Sequence, residues 1–569
     1  MSRTTSQIMN RMMKKNTIVY IAFALFLSSC SLDENPVHFV SRENFFRTES
    51  ECRAAVNSCY RPLKSIYQNK FLAVTEACND LFTSSSSGKT DFTLAVSPAQ
   101  PQFGLQIWQY GYQGVMYCNE CIEMIGRSGI DENSKSMMTG EARILRALYY
   151  YLLTNVFNGV PFYTCMVESH ETLEEIRKLP RTEANTIRYE LYRDLEENVL
   201  PYYDAHPELK LRGSEVAEQR AGYPLALMLM AKFAMWYEDW DAALAPLEAL
   251  EELYGELTEA RYPLEETMWS RKNTAESIFE IQHAWSETGV QFYSTIAPSM
   301  YPKLDKDGGW YDGVYMPEIG TTVTRFNVLT CTAYYAIYFS KKSTSKVEDT
   351  GKANALMNPL PLKFTEYNEA TGRYDTEIDL EAFRTGIRTD DGKKVDRRSM
   401  IALGFGRTDN GETFKAVKIY GKPYCGPKFW CPGMVTNHDD NNYKIFRYAD
   451  AVLMMAECHN RNGDIAKALK YVNYTRTRAG IDPVSGFLSE DEMMAEIQNE
   501  RARELGGEMH RKFDLVRWGI WYSRTVTYNY TNPVLSENIR PYHRYYPIPD
   551  TECALSGYVL TNDEYNDQY

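Results

Sequence analysis

Two stretches of this chain repeat one shape, and that shape limits what the rest can fold into. Residues 224–237, 238–240 and 241–254 read as helix, tight turn, helix, and residues 448–460, 461–463 and 464–479 read the same way. Alanine recurs along both (Ala226, Ala231, Ala242 and Ala243; Ala449, Ala456, Ala466 and Ala468), and such small side chains let paired helices approach closely. Asp241 and Asp464 stand where N-caps of the second helices belong, because a carboxylate there accepts from free backbone N–H groups. One hairpin cannot bury its own apolar face, so hairpins stack and share a core. The expected fold is mainly α: a tetratricopeptide-like helical hairpin scaffold, although a strict period of about 34 residues is absent.

Other segments fit this plan. Thr48 and Glu51 have the spacing of a capping box, with Ala54, Ala55, Val56 and Tyr60 at helical spacing behind them, which predicts a first helix from residue 48. Residues 81–107, with a serine run, glycine and two prolines, read as a long loop, and helical periodicity resumes at Trp108. Residues 140–157 predict a strong amphipathic helix ended by Asn158-Gly159; residues 181–200 predict another, stopped at Pro201. Trp108, Trp236, Trp240 and Trp518 fall in helical patterns and are expected in the core. Between the hairpins the long periods vanish, and Gly, Asp, Asn, Thr and aromatic residues dominate. This reads as an irregular, loop-rich insert with short strands, for example at 278–282 and 414–420. The expected organisation is 1–29 signal peptide, 30–47 tether, 48–284 N-terminal helical region, 285–445 insert and 446–569 C-terminal helical region.

The N-terminus carries Lys14 and Lys15, an apolar run over 18–27, and Leu27-Ser28-Ser29-Cys30. A membrane-spanning helix needs about 20 apolar residues, so this shorter run reads as a secretory signal. Residues 27–30 resemble a bacterial lipobox. That implies Cys30 as the first mature residue, carrying several acyl chains, since one alone anchors only marginally. Asp33 and Glu34 resemble the acidic tag that sends some lipoproteins to the outer face of the outer membrane. The net charge of −14 argues against nucleic acid and against electrostatic adsorption to an anionic membrane. Tyrosine is abundant, at 42 residues beside 9 Trp, and such rings suit the apolar faces of sugars; most are expected to line helix interfaces.

The 12 cysteines, less Cys30, leave an odd number, which cannot all pair. Cys52 and Cys59 fall in a helical pattern and read as buried thiols. Cys118 and Cys121 form a single CxxC. Cys425 and Cys431 lack a zinc spacing, although the Gly426-Pro427 turn between them suits a disulfide. Asp305, Asp307 and Asp312 hint at a calcium loop, but the glycine is out of register with an EF-hand. No metal and no cofactor is expected.

Several motifs together resemble the SusD/RagB family. Gly140-Glu-Ala-Arg143-Ile-Leu-Arg146-Ala-Leu-Tyr-Tyr with Asn158-Gly-Val-Pro161 is similar to one of its helices and the following turn. Residues 447–457 resemble its "RYADVLLMYAEA" helix and residues 473–480 its "N-x-x-R-x-RAG" continuation. Glu500-Arg501-Ala-Arg503-Glu504-Leu505, Glu508, Arg511 and Asp514-Leu-Val-Arg517-Trp518 resemble its "ER-x-x-EL-x-x-EG-x-R-x-x-DLIRW" segment. Tyr546-Pro-Ile-Pro549 is similar to its closing "PIP" turn, and Asn44-Phe45-Phe46 with Thr48 to its first-helix entry. Two features depart: the family's "EGxR" is Glu508-Met-His-Arg511, and the "QNPGY"-like tail is missing, which leaves the docking of the tail open. The shared charges (Arg143, Arg146, Asp450, Glu457, Glu500, Arg501, Glu504, Arg511, Asp514) lie on expected helices and read as interhelical ion pairs rather than catalysts.

The resemblance implies a non-catalytic surface protein. Such a protein binds an oligosaccharide or polysaccharide nutrient and delivers it to a partner TonB-dependent, SusC-like outer-membrane transporter, which it caps like a lid. No HExxH, GxSxG, P-loop or Rossmann pattern competes. Two alternatives remain, a surface glycoside hydrolase, whose acids carry no universal motif, and a purely structural surface lipoprotein. Candidate ligand-contact residues are Trp285, Tyr293, Trp310 and Tyr311, in or at the start of the insert beside Gly308-Gly309, and Phe92 in the serine-rich loop.

Overall fold

The computed structural model describes residues 45–284 and 441–566, apart from 68, 85, 86, 89 and 270, and short pieces between 303 and 429. Its first part holds α1 (Glu49–Ser58), α2 (Arg61–Ile66), α3 (Asn69–Thr75), β1 (Phe82–Ser84), α4 (Phe103–Arg127) and α5 (Glu132–Phe157). Then come α6 (His170–Arg177), α7 (Ala184–Asn198), α8 (Leu200–Ala205), α9 (Tyr223–Trp236), α10 (Trp240–Tyr254) and β2 (Ser277–Ile281). The insert contributes β3 (Lys303–Leu304), β4 (Trp310–Tyr311), β5 (Leu329–Cys331), β6 (Leu362–Asn368), β7 (Arg373–Ile378), β8 (Lys418–Ile419) and β9 (Lys422–Pro423). After it come β10 (Tyr443–Arg447), α11 (Tyr448–Arg461), α12 (Ile465–Arg478), α13 (Glu490–Leu505), α14 (Arg511–Arg517) and α15 (Trp521–Tyr528). Shorter turns of helix follow to residue 566.

The two expected hairpins are α9–α10 and α11–α12, and they stack through α10 against α11. Tyr471 Oη donates to Glu251 Oε2 at 2.7 Å and Tyr448 Oη to the Gly255 carbonyl at 2.8 Å, fixing the stagger. Asp464 caps α12, accepting from Lys467 N at 3.0 Å. The first hairpin differs. Asp239, two residues before the expected Asp241, accepts from Ala242 N at 3.0 Å, while Asp241 instead accepts from Asn462 Nδ2 of the other hairpin at 2.7 Å.

Helix starts show where local signals stop being sufficient. Thr48 and Glu51 form the capping box, with Thr48 N donating to Glu51 Oε2 at 2.8 Å. By contrast, α4 begins at Phe103, inside the expected loop, because the carboxylate of Asp91 accepts from Phe103 N at 3.0 Å. Helix α5 begins eight residues before the expected 140, where Asp131 accepts from Ser134 N at 2.9 Å. Pro201 does not end the chain's helical run; it sits in the first turn of α8, where its missing N–H has no partner to lose.

Helices α4 and α5 pack closely. A Cβ on Gly111 would meet Leu153, and one on Gly114 would fall inside the ring of Tyr149. Of the tryptophans expected in the core, Trp108 is buried, but Trp236, Trp240 and Trp518 are only half-buried. Arg188 lies 4.0 Å over the Trp236 ring, and Trp518 Nε1 donates to Glu457 Oε1 at 2.9 Å. Among the described residues, the fully buried indoles are Trp269 and Trp521.

Strands β2 and β10 pair antiparallel, Tyr443 opposite Ile281 and Lys444 opposite Glu280. The insert therefore leaves and re-enters the scaffold at one ladder. It is also tied back elsewhere: β5 pairs with β1, and Tyr335 Oη donates to the Ala502 carbonyl at 3.2 Å. The tail, left open by the family pattern, docks through Asn562. Its Oδ1 accepts from Ile548 N at 2.7 Å and its Nδ2 donates to Ile548 O at 2.8 Å. Among the described residues, no helix is long and apolar enough to cross a membrane.

Candidate ligand cleft at the root of the insert

Where β2 runs out towards the insert, an open cleft of about 420 Å³ lies between it, the α1–α2 turn and residues 218–220. Asn57, Tyr60 and Lys64 form one wall, Glu218, Gln219 and Arg220 the second, and residues 280–284 the third. Ala284, at its rim, immediately precedes Trp285.

The wall residues are held from behind. The buried carboxylate of Glu141 accepts from Arg53 Nη1 at 2.6 Å, Arg220 Nε at 2.8 Å and the Tyr60 hydroxyl. Burial first, then the Glu141 charge, pushes the Tyr60 hydroxyl well above its ordinary pKa, so it stays a proton donor. Ala221 N donates back to Tyr60 Oη at 2.9 Å. Glu218 and Gln219 have φ of 54° and 50°. Two successive non-glycine residues in the left-handed region cost about 1–3 kcal/mol each, a strain that persists only where surroundings over-determine it. Here Arg220 provides the brace. On the third wall, Glu280 pairs with Lys444 at 3.2 Å and accepts from Asn442 Nδ2 at 2.9 Å, and His283 stacks edge-on to Tyr443 at 4.8 Å. The cleft thus offers a ring and an aliphatic surface (Tyr60, Ile281) rimmed by amide, ammonium, imidazole, carboxylate and guanidinium groups. That combination suits a hydroxyl-rich ligand.

The motif charges lie elsewhere, in a buried seam between helices. Arg447 donates to Glu508 Oε2 through Nε at 2.8 Å and to Glu508 Oε1 through Nη2 at 2.8 Å, and its Nη1 reaches Glu276 at 2.8 Å and Glu504 at 2.7 Å. Arg478 bridges Glu276 and Glu504. Asp450 pairs with Lys232 at 2.7 Å and Arg501 at 2.8 Å, and Arg501 reaches Asp514 at 2.8 Å. Arg511 binds Asp80 through two nitrogens, at 2.9 and 2.8 Å. Arg517 does the same to Glu457, at 2.6 and 2.7 Å. Arg143 and Arg146 share Asp194.

Burial alone would raise the acids' pKa values, but the guanidinium groups outweigh it. Glu500 and Glu508 are held at about 2 and Glu504 lower still. Each of these buried acids is taken up by cations from other elements, so the seam is a brace. It also recruits Arg398 and Lys428 of the insert, Arg398 reaching Glu500 at 2.6 Å and Lys428 reaching Glu508 at 2.7 Å. Neither these nor Glu276 carried any signal in the sequence, since their partners are distant in the chain.

Of the candidate contact residues, Trp285 and Tyr293 lie outside the described residues, as do Cys30 and the Cys425/Cys431 pair. Trp310 and Tyr311 form β4, paired antiparallel with Leu304 and Lys303. Phe92 is half-buried in a tight turn over Asp91–Thr93. The cleft residues were not expected; they sit on a helix–helix turn, a short turn and the end of β2, which only the fold brings together.

Comparison with known proteins gives two family matches in chain order. Residues 33–197 match a family described as "Starch-binding associating with outer membrane", and residues 433–565 match the "SusD family". SusD-like protein P25 of Formosa agariphila is 26% identical, over 98% of this chain and 99% of its own. Starch-binding protein SusD of Bacteroides thetaiotaomicron is 25% identical over 44% of each. Among solved structures, a SusD superfamily protein from Bacteroides vulgatus has TM-score 0.65 at 17% identity, covering 92% of this chain and all of that one. Surface glycan-binding protein A from Bacteroides thetaiotaomicron in complex with laminarihexaose has TM-score 0.59 at 18% identity, covering 90% and 98%. These structures share the fold.

Proposed function

Because the chain belongs to the SusD/RagB family, we propose that it binds a nutrient glycan at the outer membrane and breaks no bond in it. Its acylated Cys30 holds it at the outer face, and it passes the glycan to a partner TonB-dependent, SusC-like transporter. The observation that carries this reading is the braced cleft at the root of the insert: Tyr60, Gln219 and Gln282 stand on a rigid, ion-paired frame, and Trp285 follows the rim in sequence. A preorganised frame lowers the ordering cost of binding, so weak contacts to hydroxyls and sugar faces add up. Trp285, Tyr293, Trp310, Tyr311 and Phe92 remain the proposed ring contacts. The relatives' printed names, starch-binding and glycan-binding, support a glycan as ligand.

The purified chain is run on native gels containing starch or laminarin, and reducing ends are counted afterwards. Retarded migration on at least one polysaccharide without new reducing ends is expected. Release of reducing ends would overturn the non-catalytic reading, and unretarded migration on both would remove these two ligands.

A further inference from the structure

We propose that Cys59 and Cys121 are a disulfide-forming pair, a covalent cross-link site behind the candidate cleft. Cys59 closes α1 and immediately precedes Tyr60 of the cleft wall; Cys121 ends the CxxC motif on α4. Their sulfurs stand 3.6 Å apart. Both are buried, and Cys118, the other motif thiol, also lies within hydrogen-bonding reach of Cys59. A disulfide needs its sulfurs about 1.5 Å closer. The backbone on the Cys59 side is already fixed, because Tyr149 Oη donates to the Cys59 carbonyl at 2.5 Å and Tyr60 is held by Glu141. The link would join two positions 62 residues apart and clamp the turn that presents Tyr60.

The oxidant is an external small-molecule disulfide, such as oxidised glutathione. The Cys59 thiol gives up its proton and attacks one glutathione sulfur. The S–S bond of the oxidant breaks, one glutathione thiol leaves, and a mixed disulfide remains. The Cys121 thiol then loses its proton and attacks the Cys59 sulfur, releasing the second glutathione. Two protein thiols are oxidised and one disulfide is reduced to two thiols. Hydrogen bonding among the thiols, together with burial, raises the pKa of both, so exchange waits on transient opening of the α1–α2 turn and is slow in the folded chain. The exposed Cys165 is the contrasting site, open to alkylation at once.

The test is a peptide map of the full chain after prolonged incubation with oxidised glutathione, alkylation in denaturant and digestion. The expected product is a peptide pair joining Cys59 to Cys121, two hydrogens lighter than the sum of the free peptides. It should persist in Cys118→Ser, vanish in Cys121→Ser, and melt several degrees above the dithiothreitol-reduced chain. Full alkylation of both residues in the wild-type chain would overturn the proposal, as would a link from Cys59 to Cys118 instead. The wild-type map decides the matter even if a variant does not fold. The cross-link stands or falls independently of the ligand the cleft takes.

Discussion

Replacing Glu508 by glutamine removes one charge from the buried seam while keeping its shape. In the wild-type chain the carboxylate takes two bonds from Arg447, both at 2.8 Å, and one ion pair from Lys428 at 2.7 Å. Burial would raise its pKa, yet Arg447 and Lys428 hold it at about 2 instead of the ordinary 4.5. That difference corresponds to about 3 kcal/mol of folded-state preference for the charged form. A separate line of reasoning gives a similar figure, since removing one partner of a buried pair costs about 3–5 kcal/mol by stranding the other charge. Glutamine would also turn an amide donor towards two cations. Urea unfolding at pH 7, read by circular dichroism and tryptophan fluorescence together, should show Glu508→Gln less stable by about 3 kcal/mol. The folded pKa is depressed, so this contribution is fully present above about pH 4.5 and is lost as pH falls towards 2. The gap between wild type and variant should therefore close across that window. A loss below about 1 kcal/mol at pH 7, within the range of an exposed pair, would refute the view that the seam braces the fold.

Other expectations follow from single contacts. Asp239→Ala should cost about 1 kcal/mol by uncapping α10, whereas Asp241→Ala, which loses only a bond from Asn462, should cost clearly less; equal urea midpoints would contradict the capping assignment. Gly114→Ala drives a methyl into the Tyr149 ring and should lower stability by about 1–3 kcal/mol, and an unchanged melting temperature would show that α4 and α5 yield easily. Trp310→Ala should weaken retention on a polysaccharide gel about tenfold, some 1.4 kcal/mol, without moving the melting temperature, and unchanged retention removes Trp310 from the ligand surface. Cys30→Ser should shift the chain from the membrane to the soluble fraction; a variant that stays membrane-bound would dismiss the lipid tether.

Local patterns were readable mostly where the signal and its partner lie within one turn of chain beside an apolar period, although the caps Asp131 and Asp239 were not picked out. Thr48 and Glu51 announce α1, Asp464 announces α12, and the alanine-rich hairpins stand out because helical periodicity repeats every few residues. The ionic role of the motif charges was legible too, since arginines and acids at helical spacing beside apolar runs have few other uses. Signals failed where the partner is distant. The cap of α4 comes from Asp91, outside the helix. Helix α5 begins in a polar stretch with no apolar period, and Pro201 looked like a stop because nothing in its neighbourhood marks it as a start.

Taken alone, the amino-acid order determined which segments become helices and that their charged faces must pair, because both depend on short-range geometry. Folding in three dimensions decided the rest. Glu276 meets Arg447 across 171 positions, and Arg398 of the insert meets Glu500 across 102. Met509 takes a φ of 67° at the family's glycine position, its N–H donating to the buried Glu76 at 2.7 Å. A cleft and a thiol pair arise from segments that are ordinary in isolation. Such contacts depend on how rigid helices pack, and packing is a property of whole surfaces that no window of sequence contains.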